Sequence, residues 1–285
     1  MIPTDLFIAT CGKDFPYLKY CLLSIAKFAR RFNYLRVLVP ANDVVAAEKL
    51  IADANILFPA KAYGHCEPEG KGFLWHMRQI IHADTFTDAE RIAHLDSDCI
   101  FTGRVEPDNF VTPDGKIIIR YEPFATIIKR HPSMMRWQEC TQACLKFPVL
   151  YETMRAHPGV FHRSTYELTR KLMEQATGHP VDDYILSCQN EFPQTFCEFN
   201  TLGNVAMSKQ RELYSPVLQR NDRPDPPNNL QQMWSHGAPD IPQHIWVDGV
   251  QRTIIPIDFI NEVLAREDPI PRWVPSDSEK ERMTQ

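Results

Sequence analysis

Asp96 and Asp98 stand one residue apart in "RIAHLDSDCIFTG" (91–103), directly after an apolar run. Two carboxylates so close repel each other, and desolvating either one alone is costly. Water or a bound cation must compensate. Asp-Ser-Asp after a strand is one common form of turn, since both residue types bond their own backbone. A phosphatase that uses Asp-x-Asp would carry it after its first strand and continue to Thr or Val, whereas here it follows the fourth candidate strand. A calcium loop would need more carboxylates, which Ile100, Thr102 and Pro107 do not supply. Divalent cation plus diphosphate fits better. Mg²⁺ or Mn²⁺ is held by one or two carboxylates, and water and substrate phosphates fill the other positions. Asp96 and Asp98 are therefore candidate metal ligands, with Asp96 and Ser97 also candidates for the ribose and diphosphate.

The elements that must position this pair alternate. "DLFIAT" (5–10), "YLRVLVP" (34–40), "NILFPA" (55–60) and "RIAHLD" (91–96) read as strands; 16–32, 41–54 and 72–83 read as helices. Such alternation predicts a parallel sheet covered on both faces, with ligands outside the carboxyl ends of its strands. Further on, 116–123 and 243–249 are strand candidates. The helix candidates are 133–147, 164–178 with Ser164 as N-cap and Gly178 at its end, 181–192 and 258–267. Residues 221–229 are Pro-rich, and 271–285 form a polar tail. The expectation is one α/β domain over 1–270, divided into halves 1–103 and 104–270, followed by that tail.

The 285 residues are 44% hydrophobic with a formal charge of −5, which supports a real core and argues against a chain coated for nucleic acid. Eight scattered cysteines include no CxxC pair, so neither a zinc site nor a disulfide framework is expected. Cys140 and Cys144 read as core thiols on one helix. "MIPTDLFIATC" lacks a signal-peptide pattern, and no run of eighteen apolar residues occurs, so the expected location is the cytoplasm.

"HLDSDCIF" resembles the DxD motif of nucleotide-sugar-dependent glycosyltransferases with the GT-A fold. "GFLWHMRQIIHA", "GVFHRSTYELTRKLME" and "FCEFNTLGNVA" resemble, in order and spacing, blocks of a poorly characterised bacterial and phage glycosyltransferase-like family. The match spans roughly residues 5–240. Arg78-Gln79 stands for a Gln pair of that family, and Cys197-Glu198-Phe199 for Ser-Glu-Tyr. The resemblance implies a Rossmann-like, mixed but mostly parallel sheet flanked by helices, with a C-terminal elaboration. It also implies Mn²⁺ or Mg²⁺ and a nucleotide-sugar donor, UDP-sugar first, with a saccharide acceptor or alternatively a hydroxymethylated DNA base.

Thr10, Lys13 and Asp14 then occupy the place of the nucleobase and ribose contacts, although Asp14 also sits where a helix N-cap would. Lys71 meets the diphosphate or is an ordinary solvated lysine, and Gln79 joins the nucleotide-sugar contacts. GT-A enzymes often add a C-terminal His to the metal: His236 in "MWSHGAPD" is the candidate, with His244 its competitor. An inverting enzyme needs a carboxylate to accept the acceptor hydroxyl proton, and Asp183 and Glu198 are the two candidates. Phe196 and Phe199 flank Glu198, which predicts desolvation and a raised pKa. The rival classes are a metal-dependent nucleotidyl- or phosphotransferase and an inert nucleotide- or glycan-binding relative.

Overall fold

The computed structural model describes residues 2–66, 71–154, 157–189, 195–219, 229–232, 243–247, 250–254 and 256–266. In chain order the first half comprises Thr4–Ala9 (β1), Phe15–Phe28 (α1), Tyr34–Pro40 (β2), Val44–Ala54 (α2), Ala60–His65 (β3), Gly72–Ile81 (α3) and Arg91–His94 (β4). Next come Cys99–Phe101 (β5), Ile117–Pro123 (β6), Phe124–Arg130 (α4), Met135–Leu145 (α5), Tyr151–Glu152 (β7) and Gly159–His162 (β8). The remainder is Arg163–Thr177 (α6), Val181–Ser187 (α7), Glu198–Lys209 (α8), Tyr214–Leu218 (β9), Leu230–Gln232 (β10), Gln243–Val247 (β11), Val250–Ile254 (β12) and Pro256–Ala265 (α9).

The fold is mixed α/β around a sheet of order β3-β2-β1-β4-β8. Its first four strands are parallel, and β8 runs antiparallel beside β4 with His94 opposite Gly159. Every residue of β1 and β4 is buried, as expected of strands covered on both faces. Asp5 is fully buried at the amino end of β1, where Arg36 Nε (2.8 Å), Asn33 Nδ2 (3.0 Å) and Thr87 Oγ1 (2.5 Å) all donate to it. Its carboxylate is thus satisfied at the amino end of the strands, opposite the end that carries Asp96. A smaller sheet, β7-β6-β9, and the β5–β10 pair extend the second half. The α9 helix returns to α1, where Lys27 Nζ donates to the Leu264 carbonyl at 2.5 Å.

Several boundaries differ from the sequence pattern for identifiable reasons. Helix α1 stops at Phe28 rather than residue 32 because Ala29 bridges to Val105 and Arg30 N bonds the Val105 carbonyl. The third strand begins at Ala60, not 55, because Asn55 takes the left-handed conformation (φ 54°) and the chain spends four residues turning. Ser164 is not the N-cap of α6; the His162 ring accepts from Ser164 N at 3.2 Å instead. Gly178, with φ 73°, ends that helix as expected. The short α4, and α8 with its buried run from Glu198 to Met207, were not visible as helices. Cys140 and Cys144 are core thiols, and burial pushes them up to about 11 and about 12.

The second half is clamped to the first by Arg170 of α6, which grips Asp84 with two bonds of 2.6 and 2.8 Å and donates to the Ile81 carbonyl at 2.8 Å. Both side chains are largely buried, so removing one partner strands the other's charge. Asp84→Ala should therefore cost about 3–5 kcal/mol in urea unfolding, with the m-value unchanged. A loss below about 1 kcal/mol would mean that the clamp is a solvated surface pair.

Candidate active site

The chain leaves β1 for β2 on one side and later returns to β4 on the other. Outside the carboxyl ends of β1 and β4 lies the switch point where ligands bind in open α/β sheets. Leu95 N still bonds the Phe7 carbonyl (2.9 Å), so Asp96 is the first residue beyond the sheet. Cys99 N closes a turn onto the Asp96 carbonyl at 3.0 Å. The motif is thus a turn, one whose carboxylates converge. Thr10 Oγ1 donates to Ser97 Oγ at 3.0 Å and ties the end of β1 to the motif.

Asp96 and Asp98 share a donor: Gln232 Nε2 lies 3.3 Å from Asp96 Oδ2 and 3.3 Å from Asp98 Oδ1. His157 Nε2 sits 3.0 Å from the same Asp96 oxygen. The Asp98 residue is 7% exposed, while the Asp96 carboxyl remains 32% open to the cleft. Burial alone would raise the Asp96 pKa, but the His157 ring, its hydrogen bond and the His76 and His94 rings hold it below the usual carboxylate range. Burial works against charge on His157 too. Asp96, their hydrogen bond and Asp98 overcome it and raise that imidazole above its ordinary range.

Neither partner was legible in the sequence. Antiparallel pairing of β8 with β4 brings the segment before Gly159 back beside Asp96, and pairing of β10 with β5 sets Gln232 opposite Cys99.

Glu198 opens α8, 5% exposed, with Oε2 buried and unpaired among the described residues. Burial raises its pKa to about 7, and Asp96 adds to this. A hydrogen bond from its own backbone N–H and the His157 charge oppose the rise. The flanking phenylalanines are buried as expected, Phe196 completely.

His76, which the sequence did not flag, reaches from α3 towards Asp96, Asp14 and Lys13. All three act on its charge, though burial dominates and lowers its pKa. Lys13 is exposed beside the cleft. Asp14 makes no N-cap bond; it accepts from Cys11 Sγ at 3.7 Å. Lys71 precedes α3, close enough to Cys188 to act on its thiol.

Gln79 is fully buried within α3, and its Nε2 has no partner among the described residues. Asp183 is exposed on α7; its neighbour Asp182 is the engaged one, bound by Arg78 Nη2 (2.6 Å) and His82 Nε2 (2.8 Å). The structure therefore brings Thr10, Ser97, Asp96, Asp98 and Glu198 to one region and leaves Asp183 on the surface. His236 lies outside the described residues. His244 lies on β11, opposite Thr253.

The pair fits a cation of the Mg²⁺ or Mn²⁺ kind. It offers two carboxylates at a strand end, one partly open, and leaves the remaining positions for water and phosphate. Among the described residues no group of three His, Cys, Asp or Glu side chains could hold a metal.

No protein-family model matches this chain, and neither does any curated protein. Among solved structures, the crystal structure of apo mouse xyloside xylosyltransferase 1 is similar over 76% of this chain and 85% of that one, at 14% identity and a TM-score of 0.40. A likeness at that level carries no functional argument. No described helix is long and apolar enough to cross a membrane.

Proposed function

We propose that the protein is a GT-A-type glycosyltransferase that moves a sugar from a nucleoside diphosphate donor to an acceptor hydroxyl, with Mn²⁺ or Mg²⁺ at Asp96 and Asp98. The observation that carries this reading is the convergence of the two carboxylates at the β1/β4 switch point, with the buried, proton-holding Glu198 nearby. The cation, when bound, offsets the charge that develops on the departing diphosphate. Thr10, Ser97 and Lys13 line the donor side. Lys71, just ahead of the amino end of α3, faces a phosphate as a point charge. Glu198 takes the acceptor hydroxyl proton: its pKa near 7 places it where a base is half ionised at neutral pH. UDP-sugar is the first donor to test, and a saccharide the first acceptor, with hydroxymethylated DNA as the alternative.

The deciding experiment incubates the protein with UDP-, GDP-, TDP- and CMP-sugars and Mn²⁺ and follows released nucleotide. Metal-dependent release of a nucleoside diphosphate from one donor is expected. Release of a sugar 1-phosphate, or of a nucleoside monophosphate from a nucleoside diphosphate sugar, would mark a nucleotidyl- or phosphotransferase. No turnover with measurable nucleotide binding would mark an inert relative.

A further inference from the structure

His157 appears in no motif, yet its Nε2 lies 3.0 Å from Oδ2 of Asp96. Its ring packs against an aromatic neighbour, while Nδ1 is buried with no hydrogen-bond partner among the described residues. The Phe199 ring meets it edge-on, with centroids 5.7 Å apart at 79°, and Phe199 itself packs on His94 and Phe161. His157 lies two residues ahead of Gly159, which pairs with His94, so the backbone of the central sheet sets its position. Its bond and that of Gln232 both fall on Oδ2 of Asp96. Among the described residues Oδ1 of Asp96 carries no hydrogen bond, and the carboxyl is one-third open.

We infer that His157 is a positioning residue: it fixes the Asp96 carboxylate through Oδ2, so that Oδ1 and the Asp98 carboxylate together face an incoming divalent cation. This rests on the metal–diphosphate reading above. A carboxylate anchored by a rigid donor loses no rotational freedom when a cation binds, and removing such supporting bonds characteristically weakens metal affinity by about 10- to 100-fold. The opposite role is that of a cation surrogate that merely competes for the aspartates. The two roles predict opposite signs, because loss of a competitor tightens binding and loss of an anchor weakens it.

The test measures Mn²⁺ dissociation constants, with and without UDP, from the electron paramagnetic resonance signal of free Mn²⁺. Wild type, His157→Leu, His157→Gln and Asp98→Asn are compared. The Leu variant removes the donor. The Gln variant restores an N–H at nearly the reach of Nε2. His157→Leu should raise the dissociation constant ~10- to 100-fold, and His157→Gln should recover most of that loss. A role confined to folding would lower the melting temperature of the folded apo protein without this split in Mn²⁺ affinity between the Leu and Gln variants. Should the Leu variant fail to fold, His157→Asn, whose amide is too short to reach Oδ2, replaces it.

Mn²⁺ affinity equal to or tighter than wild type in the Leu variant, while Asp98→Asn loses Mn²⁺, overturns the inference and leaves the metal reading intact. Absence of saturable Mn²⁺ binding to wild type removes the metal reading and this inference with it.

Discussion

Asp98→Asn is expected to abolish sugar transfer while leaving the fold intact. The substitution keeps the shape of the side chain and an oxygen for Gln232 Nε2, now 3.3 Å away, so packing around this 7%-exposed residue barely changes. What changes is charge. One of the two carboxylates proposed to hold the cation is lost, and with it the offset to the diphosphate's developing charge. Metal stabilisation of a leaving group contributes several kcal/mol, so about a thousandfold drop in released nucleotide or more is the expected scale. A second readout is independent of turnover. UDP and Mn²⁺ together at about 100 times their dissociation constant should stabilise wild type by ~2.7 kcal/mol, and Asp98→Asn should lose that increment. Wild-type turnover in the variant, or full activity in EDTA, would refute the role.

The first hundred residues were legible because buried parallel strands write themselves as apolar runs and the helices between them keep a 3.6-residue period. That pattern by itself places Asp96 at a strand end. Glu198 was legible for a related reason: Phe196 and Phe199 on either side predicted the desolvation that the structure displays. His157 and Gln232 were hidden because antiparallel strands of four and three residues bring them in, and no sequence period announces which strand each will pair with. Helix α8 was hidden by its environment. From Glu198 to Met207 every residue is buried, including Asn200, Thr201 and Asn204, so no polar face marks it as a helix. Adjacent residues on one turn can also exchange roles. Of Asp182 and Asp183, a difference of one position in helical phase decides which meets Arg78 and His82.

Glu198→Gln carries the most information about the acceptor side. The carboxyl is buried, with Oε2 unpaired among the described residues and a pKa near 7, where a base that must both hold and release a proton at neutral pH belongs. The amide keeps its volume but cannot accept the proton. Transfer should fall at least ~100-fold, the lower end of what general bases contribute, while donor affinity, set at Asp96, Asp98 and β1, stays nearly constant. Asp183→Asn is the paired control. Should it alone remove transfer, the exposed Asp183 is the base.

Stability gives a separate check whose sign follows from the raised pKa. The folded state keeps the Glu198 proton up to about pH 7, whereas an unperturbed glutamate releases it near 4.5. The protonated carboxyl's contribution is therefore fully present below about pH 4.5 and is lost as pH rises to about 7. That interval corresponds to about 3 kcal/mol. Wild type minus Glu198→Gln, measured by urea unfolding without metal, should thus shift against wild type by about that amount between pH 4.5 and pH 8. Parallel pH profiles for the two proteins would show that the Glu198 carboxyl titrates as an ordinary exposed acid. The base would then have to be sought elsewhere in the cleft.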